Sequence, residues 1–121
     1  MPDFFEVFAF WFGAPYSPQR GRRRKEWFRK SVEFDAEIRH RFLPAWEGAL
    51  RGECARWEAT PLAALALVVV LDQFPRNMFR GEARAFSSDA QALAVARRIL
   101  DRGFDRLLSP VERSFAYLPF E

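Results

Sequence analysis

The chain is poor in the residues that carry most site chemistry. Its 121 residues include one cysteine, Cys54, and one histidine, His40. A single thiol cannot form an intramolecular disulfide. A structural zinc needs about four ligands, usually Cys or His, so one Cys and one His all but exclude it within one chain. No cofactor or metal is expected. A Cys-His nucleophile pair has no supporting motif. Cys54 reads as a small packing residue and His40 as a surface residue on a charged helix. No phosphate-binding glycine loop, dinucleotide fingerprint, metalloprotease helix or nucleophile elbow is present. The longest apolar run, Leu62 to Leu71, is ten residues, far short of the ~20 that span a bilayer. Phe4 to Phe12 lacks the basic leader of a targeting segment. A reducing, cytoplasmic setting with no membrane partner is the expectation.

Aromatics are abundant. Fourteen Phe and four Trp in a chain that is half hydrophobic and 29% charged point to one globular domain with an aromatic-rich core.

The apolar periodicity is helical throughout, so the fold class is all-α. Asp3 with Glu6 signals the start of a first helix and Gly13 its stop. Residues 14–26 read as a loop broken by Pro15, Pro18 and Gly21. Ser31 caps a second helix with Phe34, Ile38, Phe42 and Trp46 on one stripe. Asp35–Arg39 and Glu37–Arg41 are spaced to pair along it, and Pro44 predicts a kink or break. Thr60-Pro61 opens a third helix, apolar on every side and therefore central, running to about Gln73 with Pro75 as its end. Val68-Val69-Val70 is the only strand-like run, outweighed by the start signal and the Ala-Leu repeat. Ser88 and Gln91 form a capping box for a helix burying Leu93, Ala96, Ile99 and Leu100, ended by Gly103, with Phe104 packing back on Ile99. Ser109-Pro110-Val111-Glu112 is a further box, opening a helix with Val111, Phe115 and Leu118 on one face.

Two polar clusters are candidate sites. Leu71-Asp72-Gln73-Phe74-Pro75-Arg76-Asn77 places charged and amide groups directly after the apolar run, where they are costly unless paired. At a helix end Asp72 needs a cation or amide donors. Arg76, four residues on, is the natural partner, with Arg80 and Arg84 as others. The structural reading is a buried Asp72–Arg76 clasp. The functional reading is a pocket in which Asp72 accepts or abstracts a proton while Arg76 and Asn77 hold an anion. The structural reading carries more weight, because structural ion-pair networks collect the same residues.

The second cluster, Arg20 to Lys30, has seven basic side chains against one acidic, a local +6 in a chain whose total is +3. Trp27 and Phe28 lie within it. Arg22, Arg23, Arg24 and Lys25 are its nucleic-acid candidates, by charge and stacking. No recognised nucleic-acid module accompanies them, so nucleic acid is an unlikely partner and a solvated loop anchored by its aromatics is the favoured reading.

Phe10-Trp11-Phe12-Gly13, Trp27-Phe28, Phe34-Asp35 with Ile38, the 71–77 stretch, Arg80-Gly81 with Ala83-Arg84-Ala85-Phe86 and Asp89, and Leu118-Pro119-Phe120-Glu121 together resemble the bacterial family called domain of unknown function 924. The resemblance covers essentially the whole chain. It implies an array of helical hairpins of the tetratricopeptide-like superfamily and no activity. Family members continue past Glu121 with His-Ser-Glu and further helices, so a C-terminally truncated member is expected. Apolar surface near Phe115, Leu118 and Phe120 would then be uncovered and promote self-association. Three functions stay open. One is a scaffold for a protein or peptide partner. The second is an anionic-ligand or enzymatic site built on Asp72, Arg76, Asn77, Arg84 and Glu121. The third is nucleic-acid binding through residues 20–30.

Overall fold

The computed structural model describes residues 2–14 and 16–121. Six α-helices, one π-helical turn and several short 3-10 turns account for the regular structure, with no strand among the described residues. The fold is all-α. Helix α1 is Phe4–Phe12, and Asp3 accepts from the Glu6 N–H at 3.0 Å. Gly13 ends it at φ 101, and a Cβ there would come within 3.1 Å of the Arg20 backbone nitrogen, so the close return of the basic loop requires glycine.

Helix α2, Val32–Leu50, starts at a Ser31 cap that accepts from the Phe34 N–H. It runs unbroken through Pro44, so the break expected there does not occur. Pro44 lies on the exposed face, as does His40, whose carbonyl loses its intrahelical donor. Water can serve that carbonyl, which offsets the lost hydrogen bond though not the ring's crowding of the preceding turn.

The central segment departs furthest from expectation. Helix α3, Pro61–Val68, passes into a π-helical turn, Val69–Gln73, and then directly into α4, Phe74–Met78. Pro75 therefore does not end the helix. The π-turn is closed by the Phe74 N–H donating to the Val69 carbonyl, which widens the coil one residue before the proline ring. The carbonyl that Pro75 leaves without a donor is that of Leu71, and it is buried. The Ser88 hydroxyl donates to it at 2.6 Å and accepts from the Trp46 Nε1–H at 3.0 Å. Buried polar groups are paired in this way because an orphan costs about 1–3 kcal/mol.

That role removes Ser88 from the capping box predicted for it; its side chain does not cap α5, Asp89–Asp101. The buried face of α5 is Ala92, Val95, Ala96 and Ile99, and Leu100, expected inside, is 39% exposed. Gly103 adopts the left-handed conformation after the helix, and Phe104 packs on the core. Helix α6, Pro110–Tyr117, carries the full Ser109–Glu112 capping box.

The core is aromatic as expected. Trp11 packs edge-on against Phe74 and Phe115 and stacks with Trp27, while Phe42 stacks on Phe74 at 4.8 Å. Helix α2 packs chiefly on α4, and α3 on α1 and α5. The π-turn thus sits at the centre of the molecule.

Candidate functional site

The wider coil of the π-turn sets the side chains that follow it. Asp72 is buried, its side chain 5% exposed, whereas Gln73 and Arg76 reach partly exposed positions. Gln73 donates from Nε2 to Asp72 Oδ2 at 2.6 Å. Arg76 donates to the Asp72 carbonyl and approaches Asp72 Oδ1 at 3.5 Å and Asp89 Oδ1 at 3.2 Å. Its guanidinium also lies over the Phe86 ring. Burial pushes the Asp72 carboxyl above the ordinary carboxylate range; Arg76 and Gln73 oppose the shift without cancelling it, and Asp89 adds to it.

Asp72 and Arg76 therefore do meet, but not as a sealed clasp. Arg76 and Gln73 both line a cleft of about 480 Å³. Its far wall is α6 and the 3-10 turn after it, with Val111, Phe115 and Leu118 on the predicted shared face. Phe115 itself is buried, 4.7 Å from the Trp27 ring centroid, so it is not the uncovered surface expected; Leu118 is half-buried and Phe120 exposed. The basic loop closes the third side with Arg23, Trp27 and Phe28, and Glu121 stands at the edge.

The other sequence candidates lie elsewhere. Asn77 donates to Asp35 Oδ1 at 2.8 Å, and Arg80 makes a two-pronged contact with the same carboxylate at 2.8 and 3.0 Å. Asp35 thus pairs across to the end of α4 and not along its own helix with Arg39; the Glu37–Arg41 pair is present at 3.4 Å. Burial works against the Asp35 anion, but the bonds from Arg80 and Asn77 outweigh it and hold its carboxyl below the usual range. Arg84 is stacked on Phe79 and Trp46, its guanidinium carbon 4.0 Å from the Phe79 centroid.

The basic loop is sorted into inward and outward side chains. Arg24 donates to the Phe10 and Trp11 carbonyls at the end of α1, at 2.7 and 3.0 Å, and Trp27 Nε1–H donates to the same Trp11 carbonyl. Arg20 bonds the buried Glu112 at 2.9 Å. The loop is thereby anchored by Trp27 and two of its arginines, whereas Phe28, expected to anchor it as well, is exposed. Arg22, Arg23 and Lys25 have no acidic partner among the described residues. A second, smaller cavity of about 250 Å³ lies between α2, α3 and α5 beside the Glu58–Arg98 ion pair. Cys54 lines it, buried, and burial and Glu53 push its thiol upward, away from an activated thiolate.

Sequence reasoning reached Asp72, Arg76 and Glu121, and it named Arg23, Trp27 and Phe28 only within the separate basic cluster, by charge and stacking. Gln73 entered only as part of the 71–77 stretch, and Phe115 only as an apolar helix face. The one available signal was the placing of Trp27 and Phe28 inside a charge run.

The family model for bacterial proteins of unknown function, DUF924, matches residues 7–121. This chain belongs to the DUF924 family. The solved structure of a protein of unknown function from Agrobacterium tumefaciens is similar to this DUF924 chain, with 36% identity and a TM-score of 0.85. The match covers 97% of this chain and 62% of that one, so the DUF924 chain described here spans less than two thirds of that relative's length. No curated protein matches it. No helix among the described residues is long and apolar enough to cross a membrane.

Proposed function

We propose that the cleft between the basic loop, the π-turn and α6 binds a small organic anion with a flat apolar body. The observation that carries this reading is the pairing of an aromatic wall, Trp27, Phe28 and Phe115, with two guanidinium groups, Arg23 and Arg76, in one cleft of about 480 Å³. That size and mixture suit a small-molecule site. The two arginines have different tasks. Arg76 is already faced by Asp72 and Asp89, so it brings directed N–H donors and little surplus charge. Asp72 is a positioning residue, fixing Arg76 and Gln73 from behind. Arg23 has no acidic partner among the described residues and supplies the positive charge. A diffusible anion in the cytoplasm belongs to the same proposal.

Phenyl phosphate is a suitable probe, followed by calorimetry and by the indole N–H resonance of Trp27. Saturable binding is expected. Arg23→Ser should weaken it roughly tenfold, the order of one well-placed charge pair. Ser114→Trp, at an exposed position on the cleft wall, should block it without changing the unfolding midpoint. Non-saturable binding, or binding indifferent to both changes, would remove the proposal.

A further inference from the structure

Arg23 lines not one cavity but two. Beyond it lies an open basin of about 460 Å³ lined by Pro18, Gln19 and residues 22–26, in which Arg22 and Lys25 are exposed and Glu26 is the one carboxylate. We infer that the ligand of the cleft is elongated and carries several anionic groups in a chain: an aromatic head in the cleft and a polyphosphate tail that crosses Arg23 into this basin. A nucleoside di- or triphosphate has this chemistry. The inference rests on the anion-binding reading of the cleft and names the ligand class.

Three observations carry it. First, the charges of the loop are divided by use. Arg20 and Arg24 are consumed by Glu112 and by the end of α1, and Glu26 faces Arg24 at 3.6 Å. Arg22, Arg23 and Lys25 are left with no acidic partner among the described residues. Second, the loop that carries them is built before any ligand arrives. The Arg20 and Arg22 N–H groups close turns on the Ser17 and Gln19 carbonyls, and Trp27 is pinned to Trp11. A basin of fixed shape loses less entropy on binding than a mobile arm. Third, the Arg23 guanidinium lies 5.7 Å from the centroid of Phe28, whose ring is 70% exposed. This aromatic face lines the cleft beside Arg23, the residue shared by the two cavities, where a flat head would turn into its charged tail.

The density of charge along the chain argues against an acidic peptide. Three cations outside any ion pair among the described residues fall within residues 22–25. Carboxylates on one side of an extended peptide are about 7 Å apart, two residues at ~3.3–3.6 Å each. Successive phosphates present charge at every link, and guanidinium groups match their oxygens in pairs.

The test is calorimetry on the full chain with adenosine mono-, di- and triphosphate, and with phenyl phosphate as the probe of the cleft alone. Affinity should rise roughly fivefold with each added phosphate, the upper end for an exposed charge contact. In the double variant Arg22→Ser/Lys25→Ser the three nucleotides should bind alike, while phenyl phosphate still binds. Equal affinities across the series in the native protein would overturn the inference, as would a gradient that survives in the double variant. Inorganic triphosphate binding as tightly as adenosine triphosphate would show charge attraction without a head site and would also overturn it. So would a Phe-Asp-Asp-Asp peptide that outcompetes adenosine triphosphate. Loss of phenyl phosphate binding to the native protein defeats the cleft itself; its retention beside a flat series defeats only the polyphosphate tail.

Discussion

Asp35 and Asp72 each meet an arginine supplied by the stretch 71–81, yet the fold treats them in opposite ways. Asp35 accepts three hydrogen bonds, two from Arg80 and one from Asn77, and its carboxyl is held below the usual range. Asp72 accepts one side-chain bond, from Gln73, with Arg76 at 3.5 Å, and burial leaves its carboxyl above the usual range. Nearness of an arginine does not decide the outcome. The number and geometry of bonds to the anion, set against its loss of water, decide it. The first arrangement is a fastener between α2 and α4. The second is an incompletely satisfied anion behind a cleft, where a proton or a ligand can alter the balance.

The largest expected effect lies on the fastener. Asp35→Ala leaves Asn77 and Arg80 without their acceptor and should cost about 2 kcal/mol, less than the ~3–5 for a sealed pair because Arg80 is open to solvent. Denaturant unfolding at neutral pH measures it. A cost near zero would erase the distinction drawn between the two carboxylates.

A double-mutant cycle on the other pair sharpens the contrast. Arg76→Met strands a buried carboxylate and should cost roughly 1–2 kcal/mol. Asp72→Asn removes the burden of a buried charge together with the ion pair, so stability should move by less than about 0.5 kcal/mol. A coupling of about 1 kcal/mol is expected. A value near zero would mean that Arg76 serves the cleft and not Asp72.

The smallest effect is in pH dependence, and its two signs are opposite. The Asp35 value is depressed in the fold, so its contribution is present above the unfolded carboxyl value of about 3.9 and is lost as pH falls through the folded one. Asp35→Asn should flatten the acid limb of stability. The Asp72 value is raised, so its contribution is full below about 3.9 and is lost as pH rises through the folded value. Asp72→Asn should therefore gain on the native protein as pH rises. Unfolding curves between about pH 3 and pH 7 separate the two; parallel profiles for both variants would break the comparison.

Features controlled by neighbours in the chain were legible. The starts at Asp3, Ser31 and Ser109 were read correctly because a cap bonds an N–H three residues away. The stops expected at the prolines did not occur, for a reason of the same kind in reverse. Pro44 and Pro75 carry one local signal, and their consequences depend on whether the carbonyl four residues earlier meets water or the interior. The cap at Ser88 failed likewise, since its hydroxyl is committed to Leu71, seventeen residues back. In the candidate site, Asp72 and Arg76 could be paired from their spacing. Asn77 could not be assigned to Asp35, because that partner lies forty-two residues away.

By itself, the sequence determined an all-α chain, its helix starts, an aromatic core, the charge surplus of residues 20–30 and the chain's family. The family follows from motif resemblance along the chain, and each of the others from composition or from contacts within one helical turn. Only the tertiary structure decided which arginines of the basic loop turn inward, that the central helix widens into a π-turn and passes through Pro75, and that Trp27 and Phe28 share a cleft with Arg76. Those outcomes depend on which buried carbonyls and carboxylates need donors once distant segments pack together. Burial makes an unpaired polar group costly, and the pairing that relieves it is reached across the fold.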